Sequence, residues 1–172
     1  MTKRESCNEH DVREQYHRLT TALIAKNRMI TTMESCTSGL IASLITDTEG
    51  ASAIFKGACI TYSNEAKIQA GVPETILAQY GVYSLETARA MAQAAAGRFQ
   101  ADLAIGVTGS FQNPDPANPD SIPGEVYYAI AFEGDVTCHC CRLPALPSRR
   151  EAKLYVAGQV ADTLLELLQA LS

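Results

Sequence analysis

The chain has little of what several common classes of protein require. Only 6% of its 172 residues are aromatic, and its net charge of -5 comes without a long basic run. Nonspecific binding to nucleic acid needs clustered lysine and arginine, so we expect none. The longest apolar stretches are far too short to span a bilayer. Residues 1–15 are polar and charged and contain no secretory signal, so we expect a cytoplasmic protein without membrane contact.

The usual serine-hydrolase signals are also missing. The sequence contains no G-x-S-x-G elbow. It has three histidines, of which His10 and His17 lie near the start and His139 lies among cysteines. None is well placed to serve a catalytic triad. If the chain has a serine nucleophile, its base is therefore expected to be a lysine.

The cysteines admit two interpretations. Cys138, Cys140 and Cys141 surround His139, which would be compatible with a zinc site. Structural zinc sites usually combine two such knuckles, and no second knuckle is present. The alternative is a strand whose small thiols face inward from alternate positions. We favour the strand, with free thiols, no metal and no cofactor.

Hydrophobic periodicity alternates between helical and extended segments along the chain. This alternation predicts a single-domain α/β protein, a three-layer α/β/α sandwich over residues 1–172, with residues 1–8 as a loose leader. A predicted hairpin makes the sheet mixed. Helices are predicted at 12–26, 37–47, a short segment capped by Asn64, a short segment opened by Pro73, 85–99 and 147–171. Strands are predicted at 29–33, 54–62, 103–107, 124–132 and 136–143.

Two short segments, 32 positions apart, carry the chemistry. Glu34–Gly39 ends one predicted strand, and Thr61–Lys67 ends the next. Ser35 in the first segment is a weak nucleophile unless a base takes its proton, and a desolvated Lys67 can be that base. Taken separately, the serine also fits an ordinary helix N-cap and the lysine a solvated helix residue. If the fold joins them, the chain is a serine amidohydrolase.

A third segment belongs to the same edge of the sheet. Thr108 and Gly109 follow the next predicted strand, and ligands in open α/β sheets sit at such carboxyl ends. We therefore expect Ser35, residues 61–64 and Thr108–Gly109 to share one crevice. The long loop 110–123, with four prolines, is predicted to be a lid or pocket wall, or else a proline-stiffened surface loop.

These segments resemble a known family. Glu34-Ser35-Cys36-Thr37-x-Gly39 followed by Thr61-Tyr62-Ser63-Asn64-x-Ala66-Lys67 is similar to the carboxy-terminal domain of the competence-damage protein CinA. The resemblance runs from about Leu19 to the carboxy terminus. Stand-alone members of this family include amidases of nicotinamide mononucleotide, so the resemblance implies an α/β/α enzyme that hydrolyses that carboxamide and releases ammonia.

The resemblance also implies a set of site residues. Ser35 falls at the family's nucleophile and Lys67 at its general base, and Tyr62 is added as a third catalytic residue. Backbone N–H groups at the helix start after Ser35 are expected to hold the oxyanion. The substrate-binding candidates are Thr37, Gly39, Asn64, Thr108, Gly109 and Arg150.

Two departures from the family pattern lie in one wall of the expected pocket. A glycine-rich stretch is replaced by Gly109–Pro114, which includes the bulkier Phe111 and Gln112. Near the last helix only Arg150 is kept, and we expect it to meet a phosphate, the alternative being a solvated arginine. The changes are compatible with another carboxamide substrate, or with a non-catalytic member that binds a ligand or partner.

The alanine-rich helix 85–99 is relevant to whether two copies of the chain associate. A face of small residues can pack closely against a second copy, and together with the family this predicts a homodimer. The alternative is that the same face packs on the chain's own sheet.

Overall fold

The computed structural model describes residues 8–170, so the predicted leader lies outside the described residues except for Asn8, and Leu171 also lies outside them. Within these described residues, six α-helices, one short 3-10 helix at Ala51–Ala53 and five strands follow one another. The helices are α1 (Glu9–Lys26), α2 (Leu40–Thr46), α3 (Asn64–Gln69), α4 (Glu74–Tyr80), α5 (Leu85–Phe99) and α6 (Arg149–Ala170). The strands are β1 (Ile30–Glu34), β2 (Phe55–Ile60), β3 (Leu103–Gly109), β4 (Glu125–Phe132) and β5 (Asp135–Arg142).

The strands form one mixed sheet in the order β2-β1-β3-β4-β5. β1 pairs in parallel with both β2 and β3, while β3–β4 and β4–β5 are antiparallel. Helices cover both faces of this sheet. The α/β fold class and the mixed sheet predicted from the sequence are confirmed.

Each face of the sheet has its own core. Under α1, α2 and α6 the core is built from large aliphatic side chains such as Leu19, Ile41 and Leu164. Under α5 it is built mostly from alanines with Met33 and Met91. Because small residues line the second core, α5 approaches β3 closely, and a Cβ on Gly106 would lie 2.2 Å from the Ala88 carbonyl oxygen.

This packing settles what the alanine face of α5 does within one chain. Its buried residues include Ala88, Ala92 and Ala95, which lie in the core against the sheet. That is the alternative which the sequence left open. The homodimer stays a prediction, but the alanine-rich face cannot supply its interface.

The helix starts differ from the prediction at five places. α1 begins at Glu9 rather than residue 12, and α6 at Arg149 rather than residue 147. α2 begins at Leu40 rather than residue 37, because residues 35–39 form a turn first. The N-cap of α3 is Ser63, whose hydroxyl accepts from the Ala66 amide, and not Asn64. Pro73 lies outside α4 as its extended N-cap instead of in the first turn.

The cysteines of β5 are free thiols on an edge strand. Cys141 is buried and Cys138 is half-buried, but Cys140 is exposed, so the expected inward alternation holds only in part. An edge strand has a neighbour on one side only, which leaves part of its faces uncovered. Within residues 8–170, no group of three or more histidine, cysteine or carboxylate side chains is arranged to hold a metal. Nor does any helix in that range have the length and apolarity to cross a membrane.

Candidate active site

Parallel pairing brings three strand ends together at one edge of the sheet. Glu34, the last residue of β1, is in register with Ile60 of β2 and Val107 of β3. The contacts continue just beyond the strands, because the Ser35 amide donates to the Val107 carbonyl and the Thr61 amide to the Glu34 carbonyl. The strand ends that the sequence places at one edge of the sheet therefore meet there.

Ser35 and Lys67 meet at this edge. Lys67 Nζ donates to Ser35 Oγ at 3.1 Å and to the Thr61 carbonyl oxygen at 2.8 Å. Both side chains are buried, with Ser35 4% and Lys67 1% exposed. The predicted contact between the two is confirmed, and a serine hydroxyl beside a desolvated amine is the arrangement that nucleophilic catalysis requires.

Burial shifts the pKa values of Lys67 and Cys36 in opposite directions. Desolvation lowers the pKa of Lys67 to about 8, against smaller raising effects from Cys36 and Asp115. A neutral, proton-accepting lysine is therefore accessible near neutral pH. Burial, helped by Glu34, raises the pKa of Cys36 to about 12. Cys36 stays a thiol, so Ser35 is the nucleophile that the local electrostatics favour.

Glu34 organises the turn that carries Ser35. Its buried carboxylate accepts hydrogen bonds from the Thr32 hydroxyl and from the amides of Gly39, Ile41 and Ala42. The amides of Gly39, Ile41 and Ala42 are thus already bonded to Glu34, so these three are not available as the oxyanion donors that we expected. Sequence reasoning missed this role, although a glutamate directly before a predicted helix start is a recognisable capping signal.

The turn also depends on two residues with left-handed backbones. Ser38 has φ 44° and Gly39 has φ 90°. Gly39 suits this conformation because it has no Cβ, and an added Cβ would lie 2.9 Å from Ile60 Cδ1. Gly39, predicted to bind substrate, instead shapes the turn and donates its amide to Glu34.

Two hydroxyl groups at the site have no partner. Among the residues that the structure describes, Thr37 Oγ1 and Thr61 Oγ1 are the buried side-chain oxygens without a hydrogen bond. Thr37 is fully buried, yet it lines a cavity beside the turn. A buried hydroxyl without a partner is unfavourable, so Thr37 is well suited to meet a ligand.

Three other predicted site residues have structural contacts. The Thr108 hydroxyl donates to the Val82 carbonyl at 2.9 Å. Position 109 has room only for glycine, because a Cβ there would lie 2.6 Å from Val126 Cα on the neighbouring strand β4. Asn64 Nδ2 donates to Asn118 Oδ1, which ties α3 to the long loop.

The cavity beside the turn, about 400 Å³ in volume, is cationic. Its charged residues come from the first turns of α6. Lys153 Nζ donates to Ser38 Oγ at 2.7 Å. The Arg149 guanidinium lies 5.0 Å from the ring centre of Phe111 and donates to Tyr62 Oη at 3.3 Å. The complete lining is Thr37, Ser38, Gly39, Leu40, Ser43, Arg149, Arg150 and Lys153.

The arginines of this cavity have different partners from those expected. Arg150 lines the cavity, but its guanidinium donates to both carboxylate oxygens of Glu9 on α1. The start of α6 is capped by Ser148, whose hydroxyl accepts from the Glu151 amide and donates to the Glu151 carboxylate. Arg149 and Lys153 are therefore better placed than Arg150 to hold an anion. The sequence singled out Arg150 first, and Lys153 carried no signal.

Tyr62 lies at the rim and not at the reacting groups. Its side chain is 62% exposed. In the described part of the chain, it has no hydrogen bond to Ser35 or Lys67, and its hydroxyl contacts Arg149. The geometry associates Tyr62 with the cationic cavity, in place of the catalytic role expected for it.

A second cavity, of about 630 Å³, is lined by residues of α3, α4 and the long loop. Asn64, Leu77, Tyr80 and Asn118 are among its lining residues. The pair does not line either cavity, which differs from the expected position at the mouth of one pocket. Ser35 and Lys67 are instead buried.

Comparison with known proteins identifies the family. The family sequence model of the CinA C-terminal domain matches residues 13–170, and the chain belongs to that family. It is 39% identical over 138 residues to the nicotinamide-nucleotide amidohydrolase PncC of Escherichia coli K12, covering 78% of this chain and 83% of that protein. It is 48% identical over 99 residues to a CinA-like protein of Geobacter sulfurreducens, covering 57% of this chain. That match spans 24% of the Geobacter protein, so this chain corresponds to about a quarter of such relatives.

Solved structures agree with this family. The competence/damage inducible protein CihA from Agrobacterium tumefaciens superposes with a TM-score of 0.82 at 33% identity, covering 91% of this chain and 95% of that one. A CinA superfamily protein from Klebsiella pneumoniae superposes with a TM-score of 0.84 at 25% identity, covering 92% and 98%.

Proposed function

We propose that this chain is an amidohydrolase that converts nicotinamide mononucleotide to nicotinate mononucleotide and ammonia. The observation that carries the proposal is the buried contact of 3.1 Å between Lys67 Nζ and Ser35 Oγ. The identity to PncC over most of the length of both chains supports the substrate. The reaction is a hydrolysis of a carboxamide C–N bond and needs no cofactor.

Ser35 and Lys67 divide the reaction into two steps. In the first, Ser35 Oγ attacks the carboxamide carbon while neutral Lys67 accepts the hydroxyl proton. The tetrahedral intermediate then breaks its C–N bond, and Lys67 returns the proton to the departing nitrogen, which leaves as ammonia. In the second step a water molecule, deprotonated by Lys67, attacks the acyl-serine and releases the carboxylate with Ser35 restored.

Thr37 is the donor that we assign to the developing oxyanion. Its hydroxyl is buried and has no partner among the described residues, and it belongs to the same turn as Ser35. A donor that gains its partner only when charge develops on the substrate oxygen stabilises the transition state more than the ground state. The amides of Gly39, Ile41 and Ala42 cannot serve, because they are bonded to Glu34.

The cationic cavity is where we assign the phosphate of the nucleotide. Arg149 is held between Phe111 and Tyr62, and Lys153 is held against Ser38. A chain with a net charge of -5 needs such a local concentration of positive charge to attract a phosphate. Phe111 lies in the segment that replaces the family's glycine-rich stretch, and its ring packs against the Arg149 guanidinium.

Ammonia release measured with nicotinamide mononucleotide, nicotinamide riboside and simple carboxamides tests this function. We expect the mononucleotide to have the highest kcat/KM, and Ser35→Ala to release no ammonia from it. Ser52→Ala, on an exposed serine of the 3-10 helix, is the matched control and should retain full activity.

Two outcomes would count against the proposal. Turnover of a simple carboxamide in preference to the mononucleotide would mean that the rebuilt wall selects another substrate. No turnover of any carboxamide, together with no labelling of Ser35 by a serine-reactive probe, would make the chain a ligand-binding member of the family.

A further inference from the structure

The long loop 110–123 contains a carboxylate that the mechanism above does not use. Asp115 accepts a hydrogen bond of 2.5 Å from the Tyr83 hydroxyl and one of 2.7 Å from Asn118 Nδ2. Its other oxygen accepts from the Ala117 amide at 2.9 Å. These donors come from two parts of the chain, residue 83 before α5 and the loop itself. They hold the carboxylate in one position and favour its charged form.

This carboxylate is connected to the helix that carries Lys67. Asn118, which donates to Asp115, also accepts from Asn64 at 3.3 Å. Asn64 is the first residue of α3 and lies three residues before Lys67, so both are on one side of that helix. The chain Tyr83–Asp115–Asn118–Asn64 thus fastens the loop to α3 next to the catalytic pair.

The directions of the pKa shifts agree with this placement of the loop. Asp115 raises the pKa of Lys67 against the larger lowering caused by burial. Lys67 in turn contributes to lowering the pKa of Asp115, after the hydrogen bonds from Tyr83 and Asn118.

We propose that Asp115 is a positioning residue for the amidase reaction: held by Tyr83 and Asn118, it keeps a fixed negative charge beside Lys67. This inference rests on the proposed function, because it concerns the proton that Ser35 transfers to Lys67. Neutral Lys67 becomes an ammonium ion when it accepts that proton. A carboxylate that is already ordered stabilises this ammonium in both steps of the reaction.

The groups that are hydrogen-bonded to Lys67 carry no charge. Cys36, from the turn after β1, is a neutral thiol because burial raises its pKa to about 12. Thr61, from the end of β2, contributes a carbonyl oxygen, and Ser35 contributes its hydroxyl. Tyr83 stays protonated, since burial and Asp115 both raise its pKa. The Glu34 carboxylate, next to Ser35, is taken up by the Thr32 hydroxyl and the amides of α2. Of the two groups that raise the pKa of Lys67, Cys36 and Asp115, it is Asp115 that is ionised at neutral pH.

The test follows the titration of Lys67 directly, by NMR of protein labelled with ¹³C-lysine, with the Lys67 signal assigned from its loss in Lys67→Ala. Asp115→Asn preserves the size of the side chain and removes its charge. We expect it to lower the Lys67 pKa by at least about half a unit. The lower limb of the kcat/KM profile, which rises with pH as Lys67 loses its proton, should move to lower pH by the same amount. Because Lys67 becomes a weaker base, the plateau should fall about threefold.

Asp120→Asn removes the same charge from an exposed position of the same loop and is the matched control, with no expected change in either measurement. Tyr83→Phe is the second variant. It removes one hydrogen bond to Asp115 and should shift Lys67 in the same direction by a smaller amount. If Asp115→Asn does not fold, the shift in Tyr83→Phe decides the question.

An unchanged Lys67 titration in folded Asp115→Asn would overturn the inference, and so would an equal shift in Asp120→Asn. The NMR measurement needs no catalysis, so it separates this inference from the proposed function. If Ser35→Ala keeps activity, the proposed mechanism fails. The charge relation between Asp115 and Lys67 is still decided by the titration.

Discussion

The two sides of the candidate site are held together in different ways. On one side, the turn 34–39 is fixed by backbone hydrogen bonds to neighbouring strand ends and by the Glu34 carboxylate. On the other, the cationic cavity depends on side chains of α6 that contact Tyr62, Phe111 and Ser38. The turn consists of residues close in sequence, whereas the cavity joins residues up to 115 positions apart.

This difference indicates which side is tolerant of change. A change in the turn breaks buried hydrogen bonds around a charged group, which are costly to lose. The cavity relies on long side chains that are partly solvated, where individual contacts contribute less. We therefore expect substitutions in the turn to reduce the catalytic rate, and substitutions in the cavity to change mainly the substrate preference.

The largest expected effect comes from the reacting pair. Ser35→Ala and Lys67→Ala should each lower kcat by about a thousandfold or more, and the double variant should be little worse, because the two side chains act as one unit. Lys67→Arg should fail as well, since arginine does not become a neutral base near pH 8. Ammonia release under saturating substrate measures this.

Lys56→Ala, on an exposed lysine of β2, is the control for the lysine change. If Ser35→Ala retained more than a few per cent of wild-type turnover, the pair would not carry the reaction.

The next effect concerns the stability of the turn. Glu34→Gln leaves backbone amides of α2 facing an amide that can accept with only one oxygen, so we expect a loss of about 2–4 kcal/mol in the free energy of unfolding. Urea denaturation followed by circular dichroism measures it. Glu49→Gln, an exposed neighbour beyond α2, should change stability by less than about 0.5 kcal/mol. Equal stability of Glu34→Gln and wild type would show that the carboxylate does not hold the turn.

The two unpartnered threonines provide a matched comparison within the site. Thr37→Val should lower kcat about a hundredfold with little change in KM, because it removes the proposed oxyanion donor. Thr61→Val deletes an equally buried and unpartnered hydroxyl, and we expect it to leave kcat nearly unchanged. Steady-state kinetics on nicotinamide mononucleotide measures both. Similar losses in the two variants would remove Thr37 from its proposed role.

The smallest effects are expected in the cavity. Arg149→Ala should raise KM for nicotinamide mononucleotide about tenfold, because a charge-assisted contact to the phosphate is lost. The same variant should leave KM for nicotinamide riboside nearly unchanged. Arg150→Ala should raise KM by less than about twofold, since Arg150 is paired with Glu9 and not free for the phosphate. A larger rise in KM for Arg150→Ala than for Arg149→Ala would mean that Arg150, the arginine predicted from the sequence, binds the phosphate.

Local sequence patterns were sufficient for most of the fold. Buried strands, an alanine-rich helix and a hairpin turn have strong periodic signals, and the predicted helix 85–99 agrees with α5 at both ends. Helix starts were less predictable. Ser35, Thr37 and Asn64 all have side chains that commonly cap helices, yet α2 begins after Gly39 and α3 is capped by Ser63. A propensity for capping does not specify which of several neighbouring candidates is used.

The sequence alone was enough to predict the contact between Ser35 and Lys67, because each lies in a distinctive segment directly after a strand, and parallel strands align their carboxyl ends. The partners of the arginines were decided only by the tertiary structure. Both Arg149 and Arg150 line the cavity, but the packing of α6 against α1 places Glu9 next to Arg150 and pairs that arginine. The proposed position of the Asp115 charge beside Lys67 also depends on tertiary structure, because contacts with Tyr83 and Asn64 hold the loop that carries Asp115. Such long-range contacts have no periodic signal in the chain, since they arise when packed elements fix where flexible side chains can go.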